Sequence, residues 1–256
     1  MPKPGQSTTC SDHERHLSEM RKYYAATASD YNAWHADLSA KGVHNFAVRQ
    51  LLSLVKSRGY RTVLDICCGT GRAVKACSER GVNVHGVDAS QELINEGIRA
   101  WGLPASSFTC ADATKLPFAD QEFDVCCILG ALHHSAIPEQ IVQESIRVSR
   151  YALVISDEGN HLYGGVRQVL KKLGLFNLVY RLMFHRAPRT GRRVVISAQD
   201  GPAYAFSVEE VMPLVVASFR DVRTFQFYLA GGVEVVSAHL PRLCARNVVV
   251  TADTRQ

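Results

Sequence analysis

Apolar positions along the chain follow two periods, one typical of amphipathic helices and one typical of buried strands. From His13 to about Lys56 they recur at helical spacing, with a break at Lys41–Gly42. After that, short apolar runs bounded by acidic residues or glycine alternate with helical segments. The apolar runs predict strands at 61–66, 82–88, 106–112, 123–132 and 151–157. The segments between them predict helices at 71–81, 90–101 and 138–150.

The order of these elements predicts the fold class, because strands that alternate with helices indicate right-handed crossovers and a mostly parallel sheet. A helix at 211–219 and two strands at 222–228 and 245–253, expected to pair as an antiparallel edge hairpin, close the pattern. We therefore expect an α/β fold with a Rossmann-like, seven-stranded, mostly parallel sheet and helices on both faces. Residues 1–56 are expected to form an N-terminal helical cap. Residues 57–256 are expected to form the Rossmann-like domain, with a helical lid inserted at 159–205 between strands five and six.

The composition is that of an ordinary soluble globular protein, with 46% hydrophobic and 21% charged residues among 256. No apolar run approaches the roughly 20 residues that span a bilayer, and the first ten residues lack the apolar core of a signal peptide. We therefore expect a cytoplasmic protein without a transmembrane segment. The eight cysteines include no CxxC pair, so we expect buried thiols and no metal. The alternative is a zinc site formed by Cys67, Cys110, Cys127 and His133.

Positive charge is concentrated in one segment of the chain. The net charge is +5, and between Glu158 and Asp200 there are eight basic residues and no acidic one. The basic residues are Arg167, Lys171, Lys172, Arg181, Arg186, Arg189, Arg192 and Arg193. The rest of the chain is net acidic, so we do not expect a nucleic acid as partner. A patch of one sign suits an anionic small molecule, most simply one that bears phosphate.

The stretch VLDICCGTGR, residues 63–72, is the first candidate for ligand binding. Its strand delivers Asp65 to the carboxyl edge of the sheet, where open α/β sheets bind ligands, and a turn with Gly69 and Gly71 leads into a helix. The phosphate-binding patterns GxxxxGK[ST] and GxGxxG are both absent, the second because Cys67 stands at the first glycine position. A carboxylate at this edge would repel pyrophosphate. It suits a ligand with a positive amino group or a sulfonium.

Two more acids end the next two predicted strands. Asp88 follows about 20 residues later, at the distance where a carboxylate can take both hydroxyls of a ribose. Asp112, within CADATKLPF, can accept a hydrogen bond from an adenine amino group. The alternative is that each is a solvated turn aspartate. Their register at three successive strand ends favours one shared site.

Together these motifs resemble those of the class I S-adenosylmethionine-dependent methyltransferases. VLDICCGTGR resembles the family's first motif, usually LDxGCGTG, and VHGVDASQELI, FTCADATKLPF and FDVCCILGALHH resemble the next three, in order, over residues 61–157. The resemblance implies the cofactor S-adenosylmethionine. For the methionine part, it implies contacts from Asp65 and from the backbone of Cys67, Gly69 and Gly71. For the ribose it implies Asp88 and Ala89, and for the adenine it implies Asp112 and Ala113. The backbone at Leu129 would contact the amino group. At Cys67, where the family usually has glycine, we expect a backbone conformation accessible to an L-residue.

The N-terminal stretch RKYYAATASDYNAWHADL is similar to the helical cap that closes over the cofactor in small-molecule methyltransferases. Tyr24, Tyr31 and Trp34 are its aromatic lid candidates, and Tyr31 is the one expected to contact the cofactor. The alternative is a helix that simply packs on the sheet. Both can hold together, because a lid also needs a core.

Four side chains at the carboxyl edge are candidates for a general base, which transfer to a hydroxyl requires. His133 and His134 follow strand four, and Asp157 and Glu158 follow strand five. An unperturbed imidazole titrates near pH 6.5 and therefore suits neutral pH. We expect His134 and Asp157 to be catalytic. The alternative is that the histidine pair is structural.

The predicted acceptor depends on the segment after the fifth strand. LVISDEGNHLYGGVRQVLKKLGLFNLVYRL and VVISAQDGPAYAFSVEEV are similar to a methyltransferase subgroup often encoded among surface-polysaccharide genes. With the basic patch, this favours a sugar or another phosphate-bearing or lipid-linked glycan precursor. An apolar stripe from Leu170 to Phe184 either packs on the domain or contacts a membrane surface. The alternatives are methylation of a modified tRNA base and a protein that binds S-adenosylmethionine without catalysis.

Overall fold

A computed structural model of the protein describes residues 10–35, 43–158, 194–197, 201–204, 206–230, 233–237 and 247–255. Its helices are α1 (Cys10–His35), α2 (Val43–Arg58), α3 (Arg72–Ser78), α4 (Gln91–Trp101), α5 (Pro138–Val148) and α6 (Met212–Ser218). Its strands are β1 (Thr62–Ile66), β2 (Asn83–Asp88), β3 (Phe108–Cys110), β4 (Phe123–Leu129), β5 (Ser149–Glu158), β6 (Val194–Ser197), β7 (Gly201–Tyr204), β8 (Phe219–Ala230), β9 (Val233–Ser237) and β10 (Asn247–Arg255). Short 3-10 turns lie at Ala105–Ser107, Leu132–His134 and Val208–Glu210.

The main sheet has the strand order β3-β2-β1-β4-β5-β10-β8-β9. The first five strands pair in parallel, whereas β10 runs antiparallel to both β5 and β8. The predicted Rossmann-like, mostly parallel sheet is therefore confirmed. The two closing strands pair antiparallel as expected, but they do not form the edge, because β9 adds an eighth strand beside β8.

The core consists of two apolar layers, one on each face of the sheet. Residues of α5 and α6 pack on one face with Leu64 and Ile66, and residues of α2, α3 and α4 pack on the other with Val63. Alternating side chains of one strand point to opposite faces, which explains how β1 contributes to both layers. The cysteine doublet follows the same rule, since fully buried Cys126 and Cys127 belong to different layers. Helices therefore cover both faces, as predicted.

Two predicted segments are described only in part. Helix α1 lies within the expected cap, whereas α2 packs on one face of the sheet, and the side chain of Trp34 lies outside the described side chains. Of the expected lid at 159–205, the structure describes β6 and β7, which pair antiparallel with each other. The basic patch and the apolar stripe lie outside the described residues. In the described part of the chain, no helix is long and apolar enough to cross a membrane.

Candidate functional site

A cavity lies at the carboxyl ends of β1, β2, β3 and β4, beneath α1. Eight of the ten residues predicted to bind the cofactor line it: Tyr31, Cys67, Gly69, Asp88, Ala89, Asp112, Ala113 and Leu129. The parallel pairing of β1 with β2 and β4 brings these strand ends to one edge, as the sequence predicts. The two other predicted residues, Asp65 and Gly71, do not line the cavity.

The turn between β1 and α3 forms one wall of the cavity. Gly69 and Gly71 have positive φ angles of 57° and 79°, in the left-handed region that favours glycine. The turn is held by its own hydrogen bond, since the N–H of Gly71 donates to the carbonyl of Cys68 over 2.9 Å. Helix α4 packs directly against it, because a Cβ atom at Gly97 would collide with the backbone of Thr70.

Cys67 adopts a left-handed backbone conformation, which favours glycine. Its φ angle is 56°, so the expectation of a conformation suited to an L-residue is wrong. The turn has to bring its backbone around the strand end, and this geometry outweighs the preference of one side chain. Burial raises the pKa of the Cys67 thiol well above its ordinary range, and the nearby carboxylates of Asp88, Asp65 and Asp112 raise it further. The thiol is therefore protonated at neutral pH and a poor nucleophile.

We expect Cys67→Gly to stabilise the protein slightly and to leave cofactor binding intact. The substitution relieves a left-handed backbone cost of roughly 1–2 kcal/mol, which the greater freedom of glycine in the unfolded chain offsets by about 0.5–1 kcal/mol. Denaturant unfolding and calorimetry with S-adenosylhomocysteine measure the two effects. Cys67→Ala is the matched control, since it removes the thiol but keeps the strain. A large loss of affinity in both variants would show that the thiol is required.

Asp65 lies behind the turn and not on the cavity surface, against the expectation of direct cofactor contact. Its carboxylate accepts hydrogen bonds from the thiol of Cys127, over 3.4 Å, and from the backbone N–H of Val74 in the first turn of α3. Burial raises its pKa to about 7, and these hydrogen bonds partly oppose the rise. Through its hydrogen bond from Val74, Asp65 connects β1 to the start of α3.

Asp88 lines the cavity and also holds the turn. One carboxylate oxygen accepts the N–H of Gly69 and the other accepts the N–H of Ser90, each over 2.8 Å. Ser90 in turn caps α4, because its hydroxyl accepts the N–H of Leu93. Burial raises the pKa of Asp88, against the effect of the backbone hydrogen bonds. Asp88 thus places a carboxylate at the centre of the cavity wall.

Asp112 is held by a residue that the sequence analysis did not identify. His13 of α1 donates to its carboxylate over 2.8 Å, and the N–H of Thr114 donates over 2.9 Å. Burial works against ionisation of Asp112, but these hydrogen bonds outweigh it and lower its pKa to about 2. Asp112 is therefore ionised at neutral pH, and its carboxylate oxygens can accept a hydrogen bond from an amino group.

Helix α1 covers the cofactor side of the cavity. A Cβ atom at Gly69 would lie 3.5 Å from the ring of Tyr31, so the tyrosine stacks closely over the turn. Met20 and Tyr24 are buried against Leu93 of α4. The helix therefore both lines the cavity and has a packed core of its own.

The two predicted catalytic residues are separated in the structure. Asp157 is fully buried and pairs with His133, whose Nδ1 lies 2.7 Å from its carboxylate. His134 lines the cavity, and its Nδ1 donates to the carbonyl of Pro202 over 2.9 Å. Asp157 does not line the cavity, and its second oxygen accepts the N–H of Leu132, so both oxygens hold the Leu132–His134 turn. Its catalytic role stays a prediction.

Three basic side chains that line the cavity were not identified from the sequence: His13, His16 and Arg72. The two histidines lie three residues apart on α1 and so share one face of the helix. That spacing could have identified a polar face of α1 from the sequence. It could not show which strand ends this face covers.

Residues 64–152 match the family model described as a methyltransferase domain. This match agrees with the resemblance of residues 61–157 to the class I S-adenosylmethionine-dependent methyltransferases. The chain is 32% identical over 109 residues to a demethylmenaquinone methyltransferase of Renibacterium salmoninarum, covering 42% of this chain and 45% of the relative. It is 31% identical over 144 residues to an uncharacterized methyltransferase of Synechocystis, covering 56% of this chain and 58% of that protein. The chain thus spans about half the length of the curated relatives it matches.

Solved structures show the same fold over nearly the whole chain. One is 1,6-didemethyltoxoflavin-N1-methyltransferase of Burkholderia thailandensis, with a TM-score of 0.58 and 17% identity, covering 100% of this chain and 94% of that one. Another is magnesium protoporphyrin IX methyltransferase of Synechocystis, with a TM-score of 0.59 and 16% identity, covering 93% and 99%. Both were crystallised with S-adenosylhomocysteine. The predicted fold is confirmed, and the family model that matches residues 64–152 agrees with the predicted family.

Proposed function

We propose that this protein transfers a methyl group from S-adenosylmethionine to a small molecule. The observation that supports this most is the cavity itself, which is lined by Asp88, Asp112, the 67–70 turn and His134. The donor set fits the cofactor, because carboxylates can accept its ribose hydroxyls and its adenine amino group. When bound, the cofactor supplies an electrophilic methyl group on a sulfonium.

The cofactor roles follow from where the residues lie. We assign the ribose to Asp88 with Ala89, the adenine to Asp112 with Ala113, and the methionine part to the backbone of 67–69. The backbone at Leu129 is assigned to the amino group, and Tyr31 closes the cavity over the turn. Asp65 and Gly71 act indirectly, by shaping the turn and the start of α3.

We assign the general base to His134, which lines the cavity. Asp157 acts through its pair with His133 as a positioning residue for the Leu132–His134 turn. A base matters for a hydroxyl acceptor, because the proton has to leave as the new bond forms. The rest of the rate enhancement comes from positioning the cofactor and the acceptor next to each other.

For the acceptor, the sequence supports an anionic molecule, namely a sugar or another phosphate-bearing or lipid-linked glycan precursor. Its support is the run of eight basic residues between Glu158 and Asp200 and the similarity of this region to a polysaccharide-associated subgroup. The methyltransferase would then hold the phosphate with arginines.

A neutral ring hydroxyl is the second candidate, and the cavity lining favours it. Away from the strand-end acids, the described lining includes His16, Tyr24, His134 and Ser135, and Arg72 is its one Lys or Arg. Arg72 lies at the start of α3, beside the turn assigned to the cofactor. Aromatic walls of this kind suit a flat ring, and relatives carry the name demethylmenaquinone methyltransferase.

A panel of acceptors separates the two candidates. The full chain is incubated with S-adenosylmethionine and, in turn, a nucleoside-diphosphate sugar, a polyprenyl-pyrophosphate sugar and a hydroquinone, and S-adenosylhomocysteine is measured. An anionic acceptor should lose turnover with rising salt, since screening acts within about 10 Å at 0.1 M. Arg192→Glu with Arg193→Glu should then raise its KM and leave cofactor affinity unchanged. If only the hydroquinone is turned over, and neither salt nor the double substitution changes its turnover, the acceptor is the neutral one.

A further inference from the structure

Three elements meet at His134. Helix α1 contributes His16, whose Nε2 lies 2.6 Å from the carbonyl of His134. Strand β7 contributes the Pro202 carbonyl, 2.9 Å from Nδ1 of His134, and the Tyr204 hydroxyl, 3.0 Å from Nδ1 of His16. His16 is 8% and Tyr204 7% exposed, so these contacts are shielded from water. We call His16, Pro202 and Tyr204 the His134 clamp.

The acceptors in the clamp determine which ring nitrogens carry protons. A carbonyl only accepts, so Nδ1 of His134 and Nε2 of His16 are both donors. Burial lowers the pKa of His16, against the effect of its hydrogen bond to the His134 carbonyl, and keeps the ring neutral. Nδ1 of neutral His16 is therefore an acceptor, and the Tyr204 hydroxyl donates to it. Each hydrogen bond in this series therefore has only one possible direction from donor to acceptor.

We propose that the His134 clamp fixes the tautomer and the orientation of His134, so that Nε2 is the basic nitrogen of its ring. The proposal rests on the assignment of His134 as general base. A neutral imidazole has one donor and one acceptor nitrogen, and the partner of one nitrogen decides the role of the other. With Nδ1–H directed at Pro202, the ring presents Nε2 as proton acceptor. The neighbouring rings of His133 at 4.0 Å and Tyr24 at 6.5 Å hold its plane.

The clamp also connects the base to the cofactor side. On the same face of α1, His13 donates to Asp112, assigned to the adenine, and His16 donates to the carbonyl of His134. One turn of helix thus holds both halves of the site. Strand β7 supplies the Pro202 carbonyl. The position of β7 against α1 therefore decides whether His134 keeps the Nδ1–H tautomer.

The test uses the full chain with S-adenosylhomocysteine bound, and reads the His134 tautomer from the ¹⁵N shifts of its imidazole. Wild type should show the Nδ1–H form. His16→Gln and Tyr204→Phe weaken the contact of α1 with β7, so both should shift His134 towards a mixture that includes Nε2–H. Tyr151→Phe is the matched control, because Tyr151 is 42% exposed and stacks on Tyr60 away from the cavity. It should leave the tautomer unchanged.

Kinetics with an acceptor that supports turnover provide a second readout. The clamp variants should have a kcat roughly tenfold lower than wild type. This loss is smaller than the factor of about 10²–10⁴ that a general base contributes to the rate, because the base is still present. Their KM for S-adenosylmethionine should stay within about twofold, unlike that of a misfolded variant. Wild type in the Nε2–H form, or clamp variants that keep the Nδ1–H form, would overturn the proposal. A wild type that shows Nδ1–H but methylates none of the panel would instead contradict the proposed function.

Discussion

Replacing Asp88 with alanine should weaken binding of S-adenosylhomocysteine roughly ten- to a hundredfold. The carboxylate is assigned to both ribose hydroxyls, and losing hydrogen bonds to a charged group costs about 1.5–3 kcal/mol, where each 1.4 kcal/mol is about tenfold. The same carboxylate holds the N–H groups of Gly69 and Ser90. Both effects act in the same direction. Isothermal titration calorimetry measures the change.

Two further variants separate ligand contact from support of the turn. Asp88→Asn keeps an oxygen that can accept the N–H of Gly69, but it removes the charge, so we expect an intermediate loss. Asp120→Ala removes a carboxylate that is 75% exposed and pairs with Arg147, and should bind like wild type. If Asp88→Ala and Asp88→Asn both bind like wild type, Asp88 does not hold the ribose.

His134→Ala should lower kcat by about 10²–10⁴, the range expected for loss of a general base. Affinity for S-adenosylhomocysteine should change little, because His134 is not among the residues assigned to the cofactor. Turnover with an active acceptor and calorimetry with S-adenosylhomocysteine together measure this split between catalysis and binding.

Other histidines provide the controls for this result. His133→Asn removes the imidazole that pairs with buried Asp157, so it should cost about 1–3 kcal/mol of stability and less activity than His134→Ala. His85 is half-buried on β2, contacts Thr109 over 2.8 Å and does not line the cavity, and His85→Ala should keep full turnover. Full turnover in His134→Ala would rule out the base, and a greater loss in His133→Asn would move that role to His133.

The strand-end acids were predictable because they depend on local pattern and on one general rule of topology. Apolar runs of strand length end at Asp88 and just before Asp112, and parallel strands bring their carboxyl ends to one edge of the sheet. The antiparallel pairing of the last two strands was also readable. Their place within the sheet was not, because the pattern does not show that β9 extends it beyond β8.

The sequence by itself determined the fold, the family and the edge of the sheet where the cavity lies, since periodicity and motif spacing are properties of the chain. Only the tertiary structure decided how individual side chains are used. It placed Asp65 behind the turn, Cys67 in a left-handed conformation, and Asp157 against His133 and not His134. It also brought His13 and His16 onto Asp112 and His134, about a hundred residues away. Such contacts depend on how α1 and β7 pack against the strand ends, and no local pattern in the sequence encodes that packing.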